Sequence, residues 1–385
     1  MTTHNYFVDI HVLQDLPPSN INRDDNGTPK QCIYGGVQRL RASSQSWKRA
    51  ARLAFDKLGM IPREDLGVRT RRVIDLFSGE FKKRGVDDQA APQLAKAVLA
   101  PLKITEGKKA DQGAYLLFFS RPQVQELVDQ VMALRDQWEG QTGDGKRLAE
   151  ILGSIDVPGI VGRGHSLDVA LFGRMVADLP EINVDAAAQV AHAVSTHAAQ
   201  NQFDYFTAVD DFQTDSGSET GSGMIGTIEF NSATMYRFAT VSTRQLSDNL
   251  NDASAVPQGV VDFIKAFVLS MPGGHQTSFA AHTRPSVVMI SLRSDQPVNY
   301  VSAFEKPVWS SRRGMVEASE IQLAEFITNE TERWGDRPLL VASSYVQVQD
   351  EPSTKTLTNV FGPSLTFTEL LDSIKHKLSE SNADE

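Results

Sequence analysis

The stretch from Cys32 to Leu58, CIYGGVQRLRASSQSWKRAARLAFDKL, commits the chain to a turn, a short strand and an amphipathic helix in immediate succession. At Gly35-Gly36 the backbone can bend or approach a ligand with no Cβ in the way. Arg39 and Arg41 follow at strand-like alternation. Ser43, Ser44, Gln45 and Ser46 then lead into a helix whose first turn Ser43 or Ser44 can cap. Trp47, Ala50 or Ala51, Ala54, Phe55 and Leu58 recur at helical spacing and are expected to face a core. Lys48, Arg49 and Arg52 leave the other side cationic. Free backbone N–H groups, hydroxyls and cations around one concavity suit a phosphate chain. An ordinary surface helix with a solvated face shows the same pattern.

A polyanion-binding helix has to be reconciled with a formal charge of −10. That charge argues against a general nucleic-acid coat but allows a local groove. Basic residues cluster between Arg39 and Arg72, while acidic ones dominate elsewhere, as at Glu317, Glu320, Glu325, Glu330 and Glu332. The asymmetry predicts one basic track on an acidic body. With 385 residues, 41% of them hydrophobic, the chain can bury a sizeable core, as one elaborated domain or two or three compact parts. Its one cysteine, Cys32, excludes an internal disulfide framework and fits a reducing compartment. No apolar stretch is long enough to cross a bilayer, so a soluble cytoplasmic protein with no membrane partner is expected.

In chain order, Tyr6–Leu13 reads as a strand with Val8, Ile10 and Val12 on one face, Asp9 and His11 on the other, and Pro17-Pro18 as its stop. Asp24-Asp25 before Gly27 suggests either a divalent metal or, more commonly for such clusters, a turn. Residues from Met60 to about Val161 read as a mainly helical insertion, with apolar repeats at Ala90–Leu99 and Val124–Trp138. Lys82, Lys83 and Arg84 suit either a nucleic-acid strand or a solvated charge run. Val184–Thr196, rich in alanine, is expected to be a helix. Its His192, like His197 and His11, stands without a second ligand at metal-site spacing. Phe203–Val209 and Thr227–Thr240 read as strands around a polar, glycine-rich excursion. Val260–Met271 reads as a buried helix begun by Pro257, leading into Pro272-Gly273-Gly274-His275-Gln276. That turn lacks the glycine–lysine–serine/threonine ending of a nucleotide-binding P-loop. Pro285–Leu292 and Leu339–Val348 are further strands separated by a helix near Val316–Trp334, and Ser379–Glu385 is expected to be a mobile acidic end.

Five separated blocks carry a resemblance: NRDDNG at Asn22–Gly27, YGGVQRLRASSQSWKRA at Tyr34–Ala50, DVALFGRM at Asp168–Met175, FTAVDD at Phe206–Asp211 and AFEKPV at Ala303–Val308. In this order they resemble the backbone subunit of the type I-E CRISPR interference complex, Cascade, a CRISPR-associated protein related to the repeat-associated RNA-binding superfamily. The resemblance implies an α+β fold: a ferredoxin-like, RNA-recognition-motif-like palm, a helical fingers insertion and a β-hairpin thumb. Residues 1–59, 181–209 and 227–385 would form the palm, with C-terminal helices in the last part. Residues 60–180 would form the fingers and 210–226 the thumb.

The same resemblance implies a guide-RNA surface made of Arg23, Arg39, Arg41, Ser44, Gln45, Ser46, Lys48, Arg49, Arg52, Arg174, Met175, His275 and Gln276. Met175 would meet a displaced guide base, although methionine also serves as core filler. Val209, Phe212, Met224 and Ile225 would anchor the thumb in assembly. The implied partners are CRISPR RNA (crRNA), target DNA through guide pairing, further copies of the chain, a small helical subunit, a large target-recognition subunit and guide-end-binding subunits. Cutting would fall to a recruited helicase-nuclease, and no cofactor, metal or catalytic residue is expected. The alternatives are a metal-dependent RNase acting from the thumb through Asp24, Asp25, Asp210 and Asp211, and a structural oligomer free of nucleic acid.

Overall fold

The computed structural model describes residues 5–104, 116–177, 179–208, 224–309, 312, 314–335, 337–347 and 352–383. The chain opens with β1 (Phe7–Ser19), β2 (Gln31–Tyr34), β3 (Val37–Ala42) and α1 (Ser44–Lys57). A mainly helical insertion follows, with β4 (Gly67–Thr70), α2 (Val73–Lys83), α3 (Ala90–Leu99), β5 (Leu117–Ser120), α4 (Arg121–Ala133), α5 (Gly145–Leu152) and α6 (Leu167–Phe172). The chain returns through β6 (Ala188–Val190), β7 (Ala193–Ser195), β8 (Gln202–Ala208), β9 (Met224–Ser242) and α7 (Val256–Leu269). It ends with β10 (Val287–Arg293), α8 (Gly314–Trp334), β11 (Leu340–Tyr345), α9 (Pro352–Phe361) and α10 (Phe367–Ala383).

Among the described residues, a nine-stranded sheet runs β11-β10-β1-β9-β7-β3-β2, with β6 and β8 also paired to β9. β1 lies antiparallel to both neighbours, Ile10 standing opposite Ala239 and Ile290. The strand's period of two sends its side chains to two different cores. Val8, Ile10 and Val12 pack with Trp47 and Phe55 of α1 and Phe263 of α7. Leu13 joins Tyr236, Phe304 and Leu323 of α8 on the other face. His11 also lies there, its ring 4.8 Å from that of Tyr300. Trp47, Ala51, Ala54 and Phe55 are the buried stripe of α1, and fully burying a side chain the size of Phe55 contributes roughly 2–3 kcal/mol. The helical insertion has an apolar core of its own, built on Phe77, Phe81, Leu94, Phe119 and Leu127.

The result is a mixed α+β architecture on a multi-stranded antiparallel sheet. Its order β10-β1-β9-β6, with α1 and α7 packed together on one face, is broadly consistent with a ferredoxin-like core. No helix among the described residues is long and apolar enough to cross a membrane.

Several elements depart from expectation. β1 continues through Pro17-Pro18 to Ser19, because a register shift between Leu16 and Ser19 accommodates residues that cannot donate to a ladder. Asp9 and His11 are fully buried, since α8 and its neighbours cover what looked like a polar face. Val184–Thr196 contains β6 and β7 rather than a helix: Ala188 pairs with Val241 and Val194 with Tyr236, so the long β9 ladder overrides alanine's helical preference. Leu58 is the C-cap of α1 and 47% exposed, outside the core. Ser379 onward continues α10 to Ala383.

Candidate nucleic-acid interface

The helix α1, which carries six of the thirteen expected contacts, begins at an N-terminus whose N–H groups are largely bonded within the protein. Asn22 Oδ1 accepts from Ser43 N–H at 2.8 Å, and His192 Nδ1 accepts from Ser44 N–H at 2.9 Å. Ser43 caps Ser46, whose hydroxyl in turn donates to the Ser43 carbonyl at 2.8 Å. The expectation that this helix start offers a row of free N–H groups to phosphate is therefore corrected. What α1 does offer is its outer face. Gln45, Arg49 and Lys57 are exposed, while Ser44, Ser46, Lys48 and Arg52 are half-buried. Burial lowers the Lys48 pKa, and Arg41 is half-buried on β3 just before the helix.

Arg49, Lys57 and Ser46 form one wall of a groove of about 780 Å³. The opposite wall is the Pro272–Gly274 turn together with His282 and Arg284, and Asn22 and Arg23 close one end. The turn lies tight against the chain: a Cβ on Gly274 would come within 2.5 Å of the Asn20 and Ile21 carbonyl oxygens, so glycine is required. Gln276 closes the turn, donating to the Pro272 carbonyl at 3.3 Å and accepting from Ala281 N–H at 3.1 Å. His275 Nε2 hydrogen-bonds the guanidinium of exposed Arg23. The structure thus brings Arg23, Ser46, Arg49 and the glycine-rich turn together around one groove. It adds Arg284, a lone exposed arginine before Pro285 that no motif singled out.

Beneath the groove lies a second residue that escaped sequence reasoning. Arg237 of β9 is fully buried, with its guanidinium 3.8 Å from the Trp47 ring and 4.5 Å from that of Phe267. It donates to Gln14 Oε1 and to the Phe267 carbonyl, and Gln14 in turn donates to the Thr283 carbonyl at 2.8 Å. One cation so links α1, α7 and the loop bearing Arg284. Burial pushes its pKa down to about 9, which still leaves it charged at neutral pH.

Two expected RNA contacts face inward. Arg39 donates to the carbonyls of Tyr34 (3.1 Å), Ser195 (2.9 Å), Phe304 (2.8 Å) and Glu305 (3.3 Å). Arg174 donates to those of Ile182 (2.7 Å), Phe118 (3.3 Å) and Val161 (2.8 Å). Both are buried and bonded to backbone carbonyls, so the fold holds each guanidinium inward, away from a phosphate on the surface. Met175, next to Arg174, is 87% exposed and no core filler. It rims a depression of about 560 Å³ that also holds Arg69, Phe118 and Gly173.

The acidic and basic runs resolve as local structure. Asp24 Oδ1 accepts from the Asn26 and Thr28 N–H groups at 2.9 and 3.0 Å, which makes the segment a turn. Lys82 pairs with Asp88, Lys83 with Glu80 and Arg84 with Asp129, each at 2.7 Å, as a solvated charge run does. Among the described residues no group of His, Cys, Asp and Glu is arranged to hold a metal ion. Val209, Phe212, Asp210 and Asp211 lie outside the described residues. Met224 and Ile225 begin β9, where it pairs with Ala208 and Thr207 of β8.

The chain is similar to a chain of a solved "CRISPR RNA-guided surveillance complex, pre-nicking", at 31% identity over 97% of this chain and 100% of that one, with a TM-score of 0.78. A second solved "CRISPR RNA-guided surveillance complex" contains a chain 29% identical over 96% and 99%, with a TM-score of 0.69. No match to a curated protein sequence was found. The family model described as CT1975-like protein matches residues 8–373, nearly the whole length, and the chain belongs to the CT1975-like protein family.

Proposed function

We propose that the chain is a non-catalytic, guide-RNA-binding backbone subunit of a type I-E CRISPR interference complex. The homology supports an RNA-binding, non-enzymatic role within a CRISPR complex. In the finer reading, copies line up along one crRNA and hold it for pairing with target DNA. The guide then reads sequence by base pairing while the protein holds the backbone. The strand order β10-β1-β9-β6 with α1 and α7 serves as the ferredoxin-like palm, residues 60–180 as the fingers and residues 210–226 as the thumb. The small helical, large target-recognition and guide-end-binding subunits are its partners, and a recruited helicase-nuclease cuts.

The observation that carries this reading is the groove walled by Arg49, Lys57 and Arg284 on an otherwise acidic chain. No ion pair within the described residues neutralises these three cations, so their charge is available to a polyanion. The second face of the sheet, on which a simple RNA-recognition motif stacks bases, is covered by α8 and α9. Binding through phosphates in the groove suits that arrangement better than stacking across the sheet.

The test is equilibrium binding of a synthetic single-stranded RNA across a salt series. Arg49→Ala with Arg284→Ala should weaken binding and flatten the log–log salt slope by about 1.4, at about 0.7 for each lost phosphate contact. Unchanged affinity and slope in a folded double variant would reject the groove as the RNA track.

A further inference from the structure

On the sheet, Arg237 of β9 stands opposite Val12, and Gln14 of β1 stands opposite Met235. The two long side chains are therefore diagonal neighbours on one face, within reach of each other. Both are buried, and the rings of Trp47 on α1 and Phe267 on α7 flank the guanidinium. A charge this deep ordinarily ends on a carboxylate. The Arg237 fork ends instead on two neutral acceptors, Gln14 Oε1 and the Phe267 carbonyl.

That arrangement has a geometric consequence. A glutamine amide has one acceptor end and one donor end. With Arg237 on Oε1, Nε2 is turned to the loop before β10, where it donates to the Thr283 carbonyl at 2.8 Å. This carbonyl belongs to the planar peptide that joins Thr283 to Arg284, so its direction fixes the plane from which the Arg284 side chain departs. The Thr283 hydroxyl donates to the Asp15 carbonyl at 2.5 Å, and Ser286 N–H donates to the Leu13 carbonyl at 2.9 Å. Those two bonds hold the loop on β1, whereas the Gln14 bond acts on the peptide next to Arg284. Gln14 also lines the groove between Arg49 and Arg284. One buried stack so reaches both walls: Trp47 lies two residues before Arg49 on α1, and the Gln14 amide ends at Arg284.

We propose that Arg237 is a positioning residue for the groove, acting through Gln14: it fixes the amide that orients the Thr283–Arg284 peptide, and so sets Arg284 at a spacing from Arg49 that one phosphate chain bridges. The inference rests on the reading of the groove as an RNA track. It adds the buried element that makes a lone arginine part of that track, and Arg237 itself touches no ligand.

The experiment is equilibrium binding of a synthetic single-stranded RNA of mixed sequence to the full chain across a salt series. The main variant, Gln14→Met, exchanges one neutral side chain for another of similar length and leaves Arg237 between its two rings. In the wild-type background Arg284→Ala should flatten the log–log slope by about 0.7, the share of one phosphate contact. Gln14→Met should flatten it by about the same 0.7 although no charge is removed, and adding Arg284→Ala to it should change the slope no further. Arg49→Ala should cost about 0.7 in either background. Arg237→Lys keeps the buried charge but lacks the planar fork that holds Gln14 and Phe267 together, so it should reproduce Gln14→Met. It carries the comparison if circular dichroism shows Gln14→Met unfolded. If Arg284→Ala costs the same slope in the folded variant as in wild type, Arg237 is a structural stack only, and the positioning role is refuted while the groove stands. If Arg49→Ala and Arg284→Ala are both silent in the wild-type background, the groove reading fails and the inference falls with it.

Discussion

The β2–β3 hairpin and the outer face of α1 lie in one unbroken motif, Tyr34–Ala50, and treat their arginines in opposite ways. On the hairpin, Arg39 reaches inward and holds four backbone carbonyls, two of them from Phe304 and Glu305 in the Ala303–Val308 block. Gly35 in the same hairpin has a positive φ of 58°, and a Cβ there would collide with the Glu305 carbonyl oxygen. These two blocks of the resemblance therefore touch, and Arg39 is the joint between them. On α1, Arg49 is exposed and lines the groove. Residue type and motif density are alike in the two regions. What separates a joint from a binding face is how many of the donors the fold itself consumes.

The largest expected effect breaks the joint. Arg39→Ala would leave buried carbonyls without donors, at a cost of about 3–5 kcal/mol, and Arg174→Ala should behave likewise. Chemical denaturation would show a large fall in midpoint for both, whereas Arg49→Ala should stay within about 0.5 kcal/mol of wild type. The contrast fails if Arg39→Ala keeps its stability and loses only RNA binding.

A smaller effect sharpens the contrast through pH. His11, buried under the sheet, is hydrogen-bonded through Nδ1 to the Tyr236 hydroxyl at 2.9 Å, and desolvation lowers its pKa to about 3. His165 is lowered to about 4, also chiefly by burial. For both, the unfolded chain takes up the proton first as pH falls below about 6.5, so stability present above that pH is progressively lost. Asp9 has the opposite sign. Burial raises its pKa to about 6, so between about 6 and 3.8 the folded chain binds that proton more tightly and one histidine is offset. Each uncompensated proton contributes about 1.4 kcal/mol per pH unit. Thermal midpoints should thus drop from pH 6.5 to 5 in wild type and drop less in His11→Asn. An identical pH profile in the variant would remove His11 from the account. The exposed cations of α1 should not shift this profile.

Sequence patterning reached the elements whose signal is local. The Ser43 cap, the Trp47/Phe55 stripe, the helix at Ala90–Leu99 and the alternation of β1 all follow from short-range periodicity. It failed where a distant partner decides. Ala188 and Val194 are strands because β9 is there to pair with them, and Asp9 is buried where the Val298 N–H, distant in sequence, folds onto its carboxylate. The site divides in the same way. Arg23, Ser46 and Arg49 do converge on one groove with the glycine-rich turn. Arg39 and Arg174 gave no sequence sign of inward direction, since an arginine buried on carbonyls looks the same in one dimension as one on phosphate. Arg284 was passed over because it stands alone in sequence and becomes part of a basic wall only when the chain folds.

The smallest expected effect falls on Met175, and it sets two adjacent residues against each other. Arg174 is buried and bonded to three carbonyls, and Val176 is buried on the other side, so the backbone between two anchors turns the Met175 side chain outward. Gly173, with a φ of +73°, makes the preceding turn against the Val184 carbonyl. The position of Met175 is thus fixed by its neighbours while its own side chain packs little. Met175→Ala should leave stability within about 0.5 kcal/mol, unlike Arg174→Ala. An unbranched thioether held out in this way suits an irregular apolar surface such as the face of an unstacked base. Losing that contact should cost about 1 kcal/mol, roughly fivefold in affinity, because less than a full methionine burial is at stake. Met175→Leu should retain most of it, while the salt slope stays unchanged because no charge is lost. Affinity for the single-stranded RNA, and for the RNA with its complementary DNA, measures the effect in both states. Equal binding by wild type and Met175→Ala in both states would mean that the exposed methionine contacts neither strand.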